Sequence, residues 1–132
     1  MPVIVWFRQD LRIEDNPALY KAMLSGQPIL PIYIYEDSAS QNPWPIGGAQ
    51  KWWLHHSLIS LKKSLAEKGL ALIILKGNPV DLLPAILKTT HSSALYYNQC
   101  YEPFLLKQEA ELKSLITKLE AYITVEVFNA HL

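Results

Sequence analysis

The stretch VIVWFRQDLRIEDNPAL, residues 3–19, constrains this chain more than any other. It opens on the apolar run Val3-Ile4-Val5-Trp6-Phe7, rich in β-branched and aromatic residues. Such a run suits a strand covered on both faces, as in a parallel sheet, and is far short of the ~20 residues of a membrane helix. It gives way to alternating charge at Arg8, Asp10 and Arg12. Asn16-Pro17 then predicts a helix start. The Asn16 side chain can accept from an orphan N–H, and Pro17 at the first helical position lacks the N–H that would go unpaired there. Buried strand, charged loop and capped helix form the first unit of a nucleotide-type α/β domain, with the charges at the strand end where such folds bind ligands.

The unit recurs. Leu19, Ala22 and Met23 carry the first helix to Gly26, whose missing side chain suits a helix stop. ILPIYIY (29–35) predicts a second strand, its regular part confined to Ile32–Tyr35 because Pro31 has no ladder donor. Residues 37–48, dense in Ser, Asn, Pro and Gly, predict the long loop, a common place for binding residues. Trp44 in that loop could pack or cover a flat cofactor. A helix over Ala49–Lys68 places Leu54, Leu58, Leu61 and Leu65 on one stripe and stops at Gly69. LALIIL (70–75) predicts a third buried strand. Asn78-Pro79 repeats the cap, with Asp81 in the first turn where the helix dipole favours a carboxylate, and Val80, Leu83 and Leu87 form that helix's apolar face. Ala94–Tyr97, Phe104–Ala121 and Ile123–Phe128 complete the series as strand, helix and strand. The alternation predicts one α/β domain over residues 1–132. Its architecture is a Rossmann-like doubly wound five-stranded parallel sheet, order 3-2-1-4-5, with helices on both faces.

Composition narrows the function. The chain is 50% apolar and 18% charged, with 12 basic and 12 acidic residues, so it is globular and has no basic bias that would argue for phosphate backbones, a local basic patch staying open. The lone Cys100 excludes an internal disulfide and fits a reducing cytosol, and Met1-Pro2 leads straight into a strand without a signal peptide. A cytoplasmic location is the expectation. No G-x-G-x-x-G or G-x-x-x-x-G-K-[ST] follows the first strand. His55 and His56 diverge by about 100° on a helix and cannot share a metal. Trp52 and Trp53 are expected to anchor their helix to the sheet and its loop, and Cys100 has no neighbouring base or cation to activate it. The candidate ligand crevice lies between the first and fourth strands, with Arg8, Asp10 and Arg12 on one side and Asn98, Cys100 and Glu102 on the other. Arg8, Asp10 and Glu102 could equally form a structural ion-pair network. These residues name no reaction.

WFRQDLRIEDNPAL (6–19) resembles the opening signature of the DNA photolyase and cryptochrome family. GAQKWWLHHSLISLKKSLAEKG (48–69), LKGNP (75–79) and YYNQCYEP (96–103) agree with that family in order and spacing. The resemblance implies an N-terminal α/β domain that binds a light-harvesting antenna chromophore: a folate, a deazaflavin or FMN. It implies a C-terminal helical domain, absent from residues 1–132, that binds FAD and ultraviolet-damaged DNA. The parent would be a deoxyribodipyrimidine photolyase, the present chain inactive alone, docked on the FAD domain and weakly self-associating when separated from it. A cryptochrome photoreceptor and a stand-alone nucleotide- or flavin-binding module are the alternatives. Carried over from the family, the antenna site falls on Tyr35, Glu36, Ile46, Gln50, Asn98, Cys100, Glu102 and Gln108. Deazaflavin-binding relatives often have Arg, Asp and Arg at the positions of Gln50, Cys100 and Gln108, and folate-binding relatives commonly have Asn-Glu at Phe104-Leu105. The antenna's identity is therefore left open. In this light Arg8, Asp10 and Arg12 resemble a charged rim where the first strand meets a second domain.

Overall fold

The strand β1, Val3–Phe7, is buried along its whole length at the centre of a five-stranded sheet ordered β3-β2-β1-β4-β5. The structure, a computed structural model, describes residues 1–36, 48–119 and 123–128, with 48–50 described by their backbone alone. Around β1 the chain runs α1 (Pro17–Leu24), β2 (Ile29–Tyr35), α2 (Gly48–Glu67), β3 (Ile73–Lys76), α3 (Pro79–Thr89), β4 (Ala94–Asn98), α4 (Pro103–Thr117) and β5 (Thr124–Phe128). Every strand pair is parallel. The strand period of two divides the core between the faces. Val3, Val5 and Phe7 pack with Leu19 of α1 and with Leu61 and Leu65 of α2, whereas Ile4 and Trp6 pack with Leu83 and Leu87 of α3 and Leu112 and Ile116 of α4.

The caps form as the sequence predicts. Asn16 Oδ1 accepts from Leu19 N at 3.1 Å and Asn78 Oδ1 from Val80 N at 3.0 Å. Gly26 and Gly69 follow their helices at φ 71° and 77°, where a Cβ would be strained.

α2, β4 and β5 shift by one residue from expectation, and β2, β3 and α4 differ in ways that have a physical reason. β2 begins at Ile29 and includes Pro31. Val3 N donates to Pro28 O at 2.8 Å, so alternation turns Leu30 and Ile32 toward β1 and Pro31 toward β3. Pairing with β3 starts only at Ile32 opposite Ile73, so the missing N–H of Pro31 removes no ladder bond. β3 is not the buried run 70–75 but an edge strand, Ile73–Lys76, with Ile74 46% exposed. α4 starts one residue early because Pro103 takes the first helical position, and it ends at Thr117.

Candidate functional site

The carboxyl ends of β1 and β4 meet at the point where winding reverses, and there the chain fills its own crevice. Asp10 Oδ1 accepts from Arg8 N at 3.1 Å, and Asp10 Oδ2 accepts from the side-chain amides of Asn98 and Asn16. Asn98 also donates to Asn16 Oδ1 at 2.7 Å and accepts from Ala18 N at 3.1 Å. The N–H groups of the first turn of α1, which would hold a phosphate in a dinucleotide-binding fold, are thus taken by Asn98 and Asn16. Asp10, Asn16 and Asn98 hydrogen-bond one another across the candidate ligand crevice that the sequence placed here. Burial pushes the Asp10 carboxyl above its ordinary range, against the opposing pull of its Asn98 bond. Arg12 folds back on its own loop, with Nε on Glu14 O at 3.0 Å and Nη2 on Asp15 O at 3.3 Å.

Arg8 leaves the rim for the interior. Only 7% exposed, its guanidinium lies 4.6 Å from the centroid of the Trp6 ring and 5.7 Å from that of Tyr97. Nη2 donates to Leu105 O at 3.2 Å and Nη1 lies 3.5 Å from Glu109 Oε2, binding the end of β1 to α4. Gln99 Nε2 donates to the same Glu109 oxygen at 3.1 Å, and Lys113 Nζ lies 3.3 Å from the other. The expected network of Arg8, Asp10 and Glu102 is therefore replaced by Arg8, Glu109 and Lys113. Glu102 is exposed at the N-cap of α4 and makes no cap hydrogen bond with its side chain. Sequence reasoning missed Glu109, although a signal was present. It shares the stripe of Leu105, Leu112 and Ile116, and a carboxylate on an apolar stripe calls for a buried cation.

Of the antenna-site candidates, the structure joins two directly. Gln108 Nε2, on α4, donates at 2.6 Å to Oε1 of Glu36, the residue after β2. Burial raises the Glu36 carboxyl, while the Gln108 bond and the charge of Arg8 oppose the rise. Gln108 Oε1 is buried without a hydrogen-bond partner among the described residues. Tyr35 is half-buried at the end of β2. Cys100 is buried, and burial pushes its thiol up, away from reactivity. Asn98 is committed to the knot around Asp10. Ile46, Trp44 and the side chain of Gln50 lie outside the described residues. The joined groups offer hydrogen bonds to a polar ligand. Among the described residues no cluster of His, Cys, Asp or Glu could hold a metal, and no helix is long and apolar enough to cross a membrane.

Three residues before Glu36, on β2, burial and the Glu36 charge push the Tyr33 hydroxyl up to about 12 from its ordinary 10.0. The folded state holds this proton more tightly than the unfolded chain, so the stability it contributes is complete below pH 10 and lost as pH rises through about 12. Alkaline unfolding monitored by circular dichroism should lose part of its pH dependence in Tyr33→Phe. An unchanged profile would refute the assignment.

Trp52 and Trp53 are 65% and 68% exposed, so they do not anchor α2 to the sheet as the sequence reading expected. Together with Leu11, Arg12 and His56 they line a cavity of about 480 Å³ beside the β1–α1 loop.

Fold and site together define a Rossmann-like α/β domain whose switch point is crossed by the hydrogen bonds of Asp10, Asn16 and Asn98 and whose polar cluster lies between β2 and α4. The family model described as DNA photolyase matches residues 3–132, and the chain belongs to that family. It is 40% identical over 131 residues to a deoxyribodipyrimidine photo-lyase of Agrobacterium fabrum, covering 99% of this chain and 26% of that protein. It is 36% identical over 130 residues to Cryptochrome-1 of Arabidopsis thaliana, covering 98% of this chain and 18% of that protein. Among solved structures, a bacterial class III photolyase from Agrobacterium tumefaciens superposes with a TM-score of 0.82 at 38% identity, over 96% of this chain and 25% of the other. A cryptochrome from Synechocystis sp. PCC6803 gives 0.88 at 29% identity, over 98% of this chain and 27% of the other. The chain thus spans about a quarter or less of the length of these relatives.

Proposed function

We propose that this chain is the N-terminal α/β domain of a deoxyribodipyrimidine photolyase, a cytoplasmic enzyme that uses light to split cyclobutane pyrimidine dimers in DNA. The observation that carries this reading is the 40% identity, sustained over 131 residues, to a protein named as that enzyme. The remaining three-quarters of that relative has no counterpart here, and the reading assigns to the corresponding part of the parent the helical domain with its FAD and the grip on DNA. When bound, such groups would supply light absorption in the antenna and, in the FAD domain, an electron lent to the dimer and returned to the flavin once the dimer has split. In that scheme the present residues bind and orient. Glu36 and Gln108 would hold the polar edge of a ring together with Tyr35, Gln108 Oε1 being without a hydrogen-bond partner among the described residues. Gln50, Cys100 and Gln108 carry no charge, and charged hydrogen bonds are the stronger ones, so the set suits the ring of an antenna better than an anionic tail.

The test is repair by the full reading frame. Purified protein should remove dimers from ultraviolet-irradiated DNA under blue or near-ultraviolet light and not in the dark, and residues 1–132 alone should remove none. Repair by the 132-residue chain would refute the division of labour. Mixing that chain with folate, deazaflavin and FMN and following absorbance identifies the antenna. A second reading, a cryptochrome photoreceptor, draws on the identity to Cryptochrome-1 and the superposition on the Synechocystis cryptochrome. Light-dependent partner binding without repair would select it. A reading frame with no helical region would select a stand-alone flavin- or nucleotide-binding module.

A further inference from the structure

The hydrogen bond from Gln108 to Glu36 joins α4 to the end of β2. At 2.6 Å it requires the turn of α4 that carries Gln108 to stand at one height and one rotation. The start of α4 does not supply that restraint, because its N-cap, Glu102, makes no side-chain cap bond. Arg8 supplies it. Nη2 donates to Leu105 O at 3.2 Å and Nη1 lies 3.5 Å from Glu109 Oε2, so the two prongs grip α4 just before and just after Gln108. A planar fork held at two points fixes rotation as well as height, which a point charge cannot do. The guanidinium is itself fixed. It is buried 4.6 Å from the centroid of the Trp6 ring and 5.7 Å from that of Tyr97, and the two rings meet edge-on at 5.2 Å. Glu109 is held in turn by Gln99 at 3.1 Å and Lys113 at 3.3 Å.

We propose that Arg8 is a positioning residue of the antenna site: by gripping the turn 105–109 of α4 it sets Gln108 against Glu36, and so governs how tightly the pair binds a polar ring. The inference rests on the proposal that the chain binds an antenna through Glu36 and Gln108. Arg8 acts on the site through other groups, since its own donors face Leu105 O and Glu109. Its charge works in the same direction. Burial raises the Glu36 carboxyl, and the Gln108 bond and the positive charge of Arg8 oppose that rise, which favours the ionised form, the stronger acceptor. A side chain as flexible as glutamine binds well only when its rotamer is set beforehand, because ordering it on binding costs entropy. With the turn gripped, Gln108 Oε1, buried and without a hydrogen-bond partner among the described residues, is held beside Glu36 before any ligand arrives.

Titrating the full-length protein with a reduced folate, a deazaflavin and FMN, followed by absorbance, tests this across four proteins. They are the wild type, Gln108→Leu, the paired variant Arg8→Met/Glu109→Leu, and the triple variant that combines them. The paired change removes both buried charges together and fills the space with apolar groups, which preserves the fold, and urea melts of the same samples check it. For the chromophore that the wild type binds best, Gln108→Leu should weaken binding about tenfold, the scale of one hydrogen bond to a charged group. The paired variant should lose about as much. The triple variant should bind no more weakly than Gln108→Leu, because both changes act through the same group. Wild-type affinity in the paired variant overturns the inference and leaves the antenna reading intact. So does a loss of about a hundredfold in the triple variant, since independent effects multiply and Arg8 would then be a general prop of the domain. Should the paired variant fail to unfold cooperatively, Arg8→Lys takes its place, because a single ammonium keeps the charge without the two-pronged grip. Weakened binding in it supports the inference and wild-type binding overturns it. No binding of any of the three chromophores by the wild type sinks both the inference and the antenna reading beneath it.

Discussion

Replacing Arg8 with methionine should destabilise the domain by about 3–5 kcal/mol, the cost of leaving a buried charge without its partner. Arg8 and Glu109 have side chains only 3% and 7% exposed, so neither can turn to water when the other is lost. The Lys113 ammonium also reaches Glu109, but it is 48% exposed, and such an i,i+4 pair contributes only about 0.3–0.5 kcal/mol. The variant also removes the contact over Trp6 of β1 and the hydrogen bond to Leu105 O that ties the end of β1 to α4. The same physics predicts a rescue. In Arg8→Met/Glu109→Leu both charges are gone and the space is filled by apolar groups, so most of the loss should be recovered, as for buried pairs replaced by well-packed hydrophobes. Urea melts of the two single variants and the double variant form a cycle that isolates the pairwise coupling. A single-variant loss below about 1 kcal/mol would place the pair in the solvent-screened class.

Glu109 also shows where sequence reading stops. The elements were legible because each is coded locally: apolar runs of strand length, Asn-Pro starts at 16–17 and 78–79, glycine stops at 26 and 69. Their alternation determines the sheet order, since right-handed crossovers leave few topologies. The edge position of β3 could not be weighed in the same way. LALIIL is as apolar as a central strand, and its exposure follows from having one neighbour in place of two. The polar contacts of the site are long-range. Arg8 reaches Leu105 across 97 positions and Asn98 reaches Asn16 across 82, separations at which no local pattern identifies the partner. Hence Arg8, Asp10 and Arg12, one alternating run in sequence, take three separate tasks: Arg8 enters the core beside α4, Asp10 ties β1 to β4, and Arg12 braces its own loop. Family resemblance named Glu36 and Gln108 as candidate antenna residues, and their direct bond became visible only in the fold. Trp52 and Trp53 resisted both routes, because a tryptophan on a helix signals packing without saying whether the packing partner lies in the same domain.

Asn98→Ala should cost roughly 3 kcal/mol at neutral pH, because it strips partners from several groups at once and each buried unsatisfied group costs about 1–3 kcal/mol. Ala18 N loses its acceptor in the first turn of α1, and Asp10 Oδ2 and Asn16 Oδ1 each lose a donor. The retained bond from Asn16 to Asp10, at 3.4 Å, is too long to compensate fully. The deficit should also depend on pH. Burial already raises the Asp10 carboxyl above its ordinary 3.8, and the Asn98 bond is the foremost opposing influence, so its removal drives that carboxyl higher still. A group whose folded pKa is raised contributes stability that is complete below its unfolded value and lost as pH rises through its folded value. Asp10 therefore favours folding at low pH in both proteins, and more strongly in the variant. The gap in unfolding free energy between the wild-type chain and Asn98→Ala should narrow from pH 7 toward pH 4, in the absence of any compensating change at Arg12, the nearest charge acting on Asp10. Denaturant melts of both proteins across that range make the comparison. A gap that stays constant would mean that Asp10 does not carry the charge of the knot, and that its bonds to Asn98 and Asn16 hold the β1–α1 loop by geometry alone.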